Sequence, residues 1–314
     1  MPPTLSAARV AVVSGKGGVG KTTVAAALAL ASARAGRHTL IAEIEEREAL
    51  APIFGLTELG FEERALAPNL TGLSIQPDES LVEYLQQFYG IPRLSRAIVQ
   101  SKLVEFATNT APGLRDILEI GKIKEAERRR KEGRYVFDQI VLDAPATGRL
   151  PRLLDAPRAI VDLVHSGPIA TQAQGVLDMV TDPKRLQVVL VAQPEDMSVR
   201  ETIESAETLQ KSGIELGPVV VNGMWPQIPA LGKDPAAALQ PAAAALGLGA
   251  QAVAELASVA GAHARRARNQ RAAANELESE LKLPCIELPY LFTERVGRHE
   301  IDELAGLLLG SELW

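Results

Sequence analysis

One cysteine, Cys285, stands in a chain of 314 residues. A lone thiol forms no intramolecular disulfide, and no zinc or arsenite site built from several thiolates of one chain. The role that fits it is a small buried residue at a strand. An excess of positive charge is lacking too: 33 Lys and Arg stand against 39 Asp and Glu, giving a net charge of −6 and a pI near 5.5. Nothing in that balance favours nucleic acid, and DNA is not expected as a partner. Met1 to Arg9 lack the basic stretch and apolar run of a secretory signal. No segment approaches the roughly 18 uninterrupted apolar residues of a membrane-spanning helix. The expectation is therefore a cytoplasmic chain with no direct membrane insertion. No internal repeat of fixed period occurs. What remains is ordinary, 46% hydrophobic and 23% charged, the balance of a globular chain long enough for one large α/β domain with a helical insertion.

Short β-rich apolar runs alternate with longer helix-like segments, the pattern of a mostly parallel sheet covered by helices on both faces. Strands are predicted at Val10–Ser14, Thr39–Glu43, Gly72–Gln76, Gln139–Leu142, Gln187–Ala192, Pro218–Val221 and Ile286–Leu288. Residues 1–314 read as a single domain. Between the third and fourth strands, Asp78–Glu132 carries Leu81, Leu85 and Phe88 at helical spacing. A second helical stretch, Ala159–Asp182, follows the fourth strand. Stretches 78–132 and 159–182 are expected to lie together as a helical subdomain. Pro226, Pro229, Pro235 and Pro241 make Trp225–Gly249 a surface excursion with short helices. Ala250–Leu281 reads as a helix with a solvated basic side at Arg265, Arg266, Arg268 and Arg271, and Arg128–Lys131 as a charged helix end.

The segment GKGGVGKTT, Gly15 to Thr23, sits between an apolar strand and an Ala- and Leu-rich helix, and it matches the spacing of a phosphate-binding P-loop in full. Gly15, Gly17, Gly18 and Gly20, with Val19 between them, let the backbone wrap phosphates whose charge is met by successive N–H groups and the helix start. Lys21 adds a point charge toward the terminal phosphates of ATP. Thr22 is the hydroxyl ligand expected for Mg²⁺, and Thr23 completes the motif. Lys16 is a second lysine that an ordinary P-loop does not need.

This KGGVGKTT form resembles the deviant P-loop of the family containing ParA, MinD, the nitrogenase iron protein, the arsenical pump ATPase ArsA and the ATPase of the guided entry of tail-anchored proteins pathway. The resemblance implies that Lys16 reaches across a dimer to the partner's nucleotide. Its logic is that of an arginine finger, a cation supplied in trans to the transition state. FDQIVLDAPATGRLPRLL, Phe137 to Leu154, is similar to the second switch of the ArsA/guided-entry branch. That likeness gives Asp143 the task of holding an Mg²⁺-bound water and makes Ala144–Gly148 a loop sensitive to the γ-phosphate.

Where the branch has an STDPAHS-like first switch, this chain reads Glu43-Ile44-Glu45-Glu46-Arg47-Glu48. The water-orienting aspartate of the family falls on Glu45, one methylene longer, and Glu43 is the second candidate. Asn222, ending PVVVN, matches an asparagine that reads the adenine edge, a task suited to an amide that both donates and accepts. A strand-end turn residue is its other reading. ELPYLFTERVG, Glu287 to Gly297, resembles the loop that frames the base, with Pro289 and Tyr290 nearest through backbone contacts.

The likeness runs from Arg9 to about Leu309 and is nearest overall to bacterial proteins labelled anion-transporting ATPases. It implies a P-loop NTPase fold with nucleotide at the C-terminal strand ends, ATP and Mg²⁺ as cofactors, and hydrolysis of ATP to ADP and phosphate. It also implies a nucleotide-gated dimer, a homodimer or a heteromer with a paralogue, acting on an unknown protein client. The chain departs from the named members in having no CxxC pair, no arsenite cysteines and only four Met. Two other readings stay open. One is a ParA/MinD-like positioning ATPase, which calls for a basic surface or terminal helix, whereas Ile301–Leu309 holds Asp302, Glu303 and no lysine or arginine. The other is a scaffold that retains ATP without turnover beside an active paralogue.

Overall fold

Residues 3–44, 49–89, 113–231 and 234–314 are described by the computed structural model. In chain order the elements are β1 (Val10–Gly15), α1 (Lys21–Arg34), β2 (Thr39–Ile44), α2 (Leu50–Ile53), β3 (Arg64–Ala67), β4 (Leu70–Ile75), α3 (Pro77–Tyr89) and α4 (Leu114–Arg128). Next come β5 (Arg130–Lys131), β6 (Arg134–Tyr135), β7 (Gln139–Asp143), α5 (Leu150–Leu163), α6 (Pro168–Val180), β8 (Leu186–Ala192), α7 (Asp196–Lys211) and β9 (Val219–Met224). A 3₁₀ turn at Pro229–Leu231, α8 (Pro235–Ala245), α9 (Ala250–Leu281), β10 (Cys285–Pro289) and α10 (Arg298–Leu309) complete the chain.

Eight strands form one sheet in the order β10-β9-β8-β1-β7-β2-β4-β3. All neighbours are parallel except β3, which pairs antiparallel with β4 at the edge. The seven expected strands are all present. Val10–Val13 of β1 and Val188–Ala192 of β8 read as unbroken apolar runs because both of their faces are covered. On one face Val12, Ala42, Leu142, Val188 and Leu190 join the core beneath α4, α6, α7 and α9. On the other, Val13, Ile41, Val141 and Val189 pack against α1 and α10. The chain moves from β1 toward β7 and β2 on one side and returns to β8 on the other, so the connection reverses beside β1. That reversal opens a crevice at the C-terminal strand ends, where parallel α/β sheets receive ligands.

The helical stretches contain α3, α4, the end of α5 and α6. Residues 90–112, within the expected 78–132, fall outside the described residues, as do 45–48. α4 lies against both α5 and α6, and Ile120, Ile123 and Ala126 of α4 share the sheet's core with Val176 and Met179 of α6. Three details differ from expectation. α5 begins at Leu150, well before Ala159. The charged run at Arg128–Lys131 ends α4 at Arg128 and then enters a small β5–β6 hairpin. The basic side of α9 is not wholly solvated, since Arg266 lies over the Trp225 ring at 4.5 Å and Arg271 pairs with Glu287. No helix among the described residues is long and apolar enough to cross a membrane.

Cys285 opens β10, partly covered. Burial pushes its thiol up to about 12, and the nearby Glu278 and Glu287 carboxylates push in the same direction. Iodoacetamide at pH 8 is expected to modify the native chain more than about tenfold more slowly than the urea-unfolded chain, because the thiolate is the reactive species. Equal rates by mass spectrometry refute the burial argument.

Candidate nucleotide-binding site

β1 stops at Gly15 because nothing larger fits there: a Cβ would stand 2.2 Å from the Val191 carbonyl oxygen of β8. Gly18 and Gly20 then take φ of 87° and 90°, the left-handed region that turns the loop into α1. α1 starts at Lys21 with no acidic residue in its first turn and no side-chain cap. A helix start of this kind favours an anion.

Lys21 is buried, and its Nζ donates to the Lys16 carbonyl oxygen at 3.1 Å. Thr22 Oγ1 donates to Asp143 Oδ2 at 2.6 Å, which joins the start of α1 to the end of β7. Gly18, Gly20, Lys21, Thr22, Ile44, Asp143 and Ala144 line a cavity of about 240 Å³. The loop Ala144–Gly148 is stitched to β1 by Ala144 N to Val13 O at 3.0 Å, Thr147 N to Gly15 O at 3.1 Å and Ser14 Oγ to Pro145 O at 2.6 Å.

Hydroxyl and carboxylate oxygens beside a phosphate-sized cavity are the donors a hard cation such as Mg²⁺ takes. No group of three or more His, Cys, Asp or Glu able to hold a metal occurs among the described residues. Mg²⁺ here would need phosphate and water oxygens to complete its shell. The pair fits a nucleotide-borne ion.

Glu43 is in register with Asp143 on the neighbouring strand and is fully buried. Its Oε2 accepts from Leu50 N at 3.2 Å, tying the start of α2 back to the end of β2. The sequence offered Glu43 only as a second water-positioning candidate, and the geometry makes it a brace for the segment that leaves β2. Glu45, the first candidate, lies outside the described residues.

Asn222 Nδ2 donates to the Val19 carbonyl oxygen at 2.9 Å, so one end of its amide steadies the P-loop. Pro289, ending β10, lies opposite Met224, and Tyr290 N donates to Met224 O at 2.8 Å. Asn222, Pro289 and Tyr290 therefore gather at the C-terminal ends of β9 and β10. A ring cluster adjoins them that the sequence did not announce: Trp225 stands 5.9 Å from Tyr290, 5.6 Å from Phe292 and 5.1 Å from His263. These aromatics come from three separate elements, and no spacing rule links them.

Arg149, just past the second-switch loop, bonds Glu119 at 2.8 Å and Asp116 at 3.2 Å on α4. Burial raises the Glu119 carboxyl above its ordinary range, against the opposing pull of Arg115 and Arg149. Lys124, one turn further along α4, is lowered to about 8 by burial, with Arg128 and Arg185 adding to the effect. Lys16 points away from the cavity that Lys21 serves. Its Nζ meets Glu201 Oε1 of α7 at 2.7 Å.

A family model described as anion-transporting ATPase matches residues 8–168 and 163–233. The chain is 40% identical over 227 residues to the ATPase BagA of Mycobacterium tuberculosis, covering 70% of this chain and 66% of that protein. It is 26% identical over 247 residues to the arsenical pump-driving ATPase of Escherichia coli, covering 72% of this chain and 41% of the relative. A putative arsenical pump-driving ATPase of Prosthecochloris vibrioformis is also 26% identical, over 68% of this chain and 60% of its own. The chain thus spans just under two thirds of the mycobacterial relative and less of the others. The matches run through the P-loop and cover more than half of the chain, and on that ground the chain belongs to the anion-transporting ATPase family.

Proposed function

We propose that this protein hydrolyses ATP to ADP and phosphate with Mg²⁺, in the cytoplasm, as a nucleotide-gated dimer that acts on a protein client. The observation that carries the reading is the join of Thr22 to Asp143 at 2.6 Å beside the buried Lys21. In one small volume it supplies a phosphate cradle, a cation for the terminal phosphates and two oxygen donors. Thr22 would hold Mg²⁺ directly and Asp143 through water, and the ion would supply charge neutralisation to the phosphates. The P-loop N–H groups and Lys21 hold the triphosphate in place, while Asn222, Pro289 and Tyr290 frame the base. Glu45 orients the attacking water, and Lys16 of a second subunit, a copy or a paralogue, meets the charge that develops on the phosphates.

The output passes to α3–α6, which we read as the helical subdomain. Arg149 links the second-switch loop to Asp116 and Glu119 of α4, so a shift of that loop pulls on buried carboxylates with little room to yield. Amide hydrogen exchange in 114–128 and 168–180 is expected to be slower with an ATP analogue than with ADP. Identical exchange in the two states contradicts a helical output.

Phosphate release from ATP by the purified chain, with Mg²⁺ and without it, tests the main reading. Glu45→Gln is expected to slow release about a hundredfold at unchanged ATP affinity, since the amide keeps the size and loses the proton acceptor. Undiminished turnover moves the water-positioning role to another residue. ATP binding with no release by the wild-type chain favours the scaffold.

A further inference from the structure

Lys16 leaves the P-loop beside the phosphate cavity, yet its ammonium is drawn to Glu201, with Nζ and Oε1 2.7 Å apart. The two side chains are 34% and 39% exposed, so the pair lies at the rim of the molecule. Both ends are fixed by their backbones. The Lys16 carbonyl accepts from Lys21 Nζ, and α7 presents Glu201 from a helix seated through buried Val199 and Thr202. Ser198 Oγ in turn accepts from Gln193 N at 2.9 Å, fixing the helix start. Beside the pair opens a second cavity of about 510 Å³, bordered by Gly17, Glu195, Asp196 and Met197. It is distinct from the cavity lined by Lys21 and Asp143.

We propose that Glu201 is a positioning residue for Lys16. It holds the lysine on its own subunit while that subunit is alone, and it lets go when a second copy of the chain brings its nucleotide within reach. This rests on the trans role of Lys16 proposed above. A rim-exposed pair is weak, which a reversible hold requires, whereas a buried bridge would not release without a large penalty. In a two-fold dimer both pairs break together, so a small cost per subunit counts twice.

Sedimentation equilibrium with Mg²⁺ and a non-hydrolysable ATP analogue tests this on wild type, Glu201→Gln, Lys16→Ala and the double variant. Glu201→Gln keeps the size and removes the charge. It is expected to lower the dimer Kd about fivefold, the combined effect of two weak exposed pairs. Half-maximal ATPase should appear at a correspondingly lower protein concentration, with kcat at saturating protein unchanged. In the Lys16→Ala background the Glu201 substitution should do nothing. An unchanged Kd in Glu201→Gln, or a shift that persists without Lys16, overturns the hold on its own. Wild-type hydrolysis by Lys16→Ala, or no dimer in any variant, removes the trans role and the hold together.

Discussion

Lys21→Ala is expected to weaken ATP binding by about 30-fold and to leave no measurable turnover. The ammonium is buried beside the cavity and already oriented by its bond to the Lys16 carbonyl at 3.1 Å, so little is spent on placing it when phosphate arrives. A hydrogen bond to a charged group contributes about 1.5–3 kcal/mol. Roughly a tenfold to 150-fold loss of affinity follows from that range. The fold should survive, because alanine is compatible with the helical backbone at the start of α1. Titration calorimetry with Mg²⁺ and ATP, beside a thermal melt, separates the two effects. Unchanged affinity in a folded variant would take the phosphates away from this loop.

The sheet was legible because its signals are local and redundant. Val10–Val13 of β1 and Val188–Ala192 of β8 are apolar throughout, α1 is a run of small helix formers, and the P-loop spacing is read within nine residues. β3 escaped because it is a short edge strand with exposed arginine at its start, which carries neither alternation nor a buried run. α4 is opaque in another way. Asp116, Glu119, Lys124 and Glu127 look like a solvated face, yet all four are buried, each matched to a group far along the chain, such as Arg9 and Arg185 on Glu127. Periodicity carries no information about such partners.

The site divides along the same line. Thr22 and Asp143 were found because each sits in a recognisable motif, although the bond between them spans 121 residues. Glu201 lies 185 residues from Lys16 in a helix that reads as ordinary amphipathic sequence, and only the packing of α7 beside the P-loop brings the two together. Asn222 was read as a base contact or a strand-end turn residue, and its bond to Val19 braces the loop.

The glycines of the loop look equivalent in sequence and are not equivalent in space. Gly15→Ala is expected to lower the melting temperature by about 4–5 °C with no nucleotide present, the shift for a loss of roughly 3 kcal/mol in a chain of this size. Gly15 pairs with Val191 in the β1–β8 register, and its Cβ would meet the Val191 carbonyl oxygen at 2.2 Å and Val19 Cγ2 at 2.9 Å. The first neighbour is backbone, so relief requires the two central strands to part. Gly18→Ala should cost less, about 1 kcal/mol, because its φ of 87° is unfavourable to alanine but no atom stands within 4 Å. Gly17→Ala should melt with the wild type to within about 2 °C, since neither its backbone nor its surroundings exclude a methyl group. Yet Gly17 borders the open cavity next to Lys16, so a methyl there confronts whatever docks on that face. Its hydrolysis should fall while its stability does not. Circular dichroism melts of the three variants, set beside their phosphate release, decide the matter. A Gly15→Ala chain that melts with the wild type would mean that this glycine serves the nucleotide alone and not the pairing of β1 with β8.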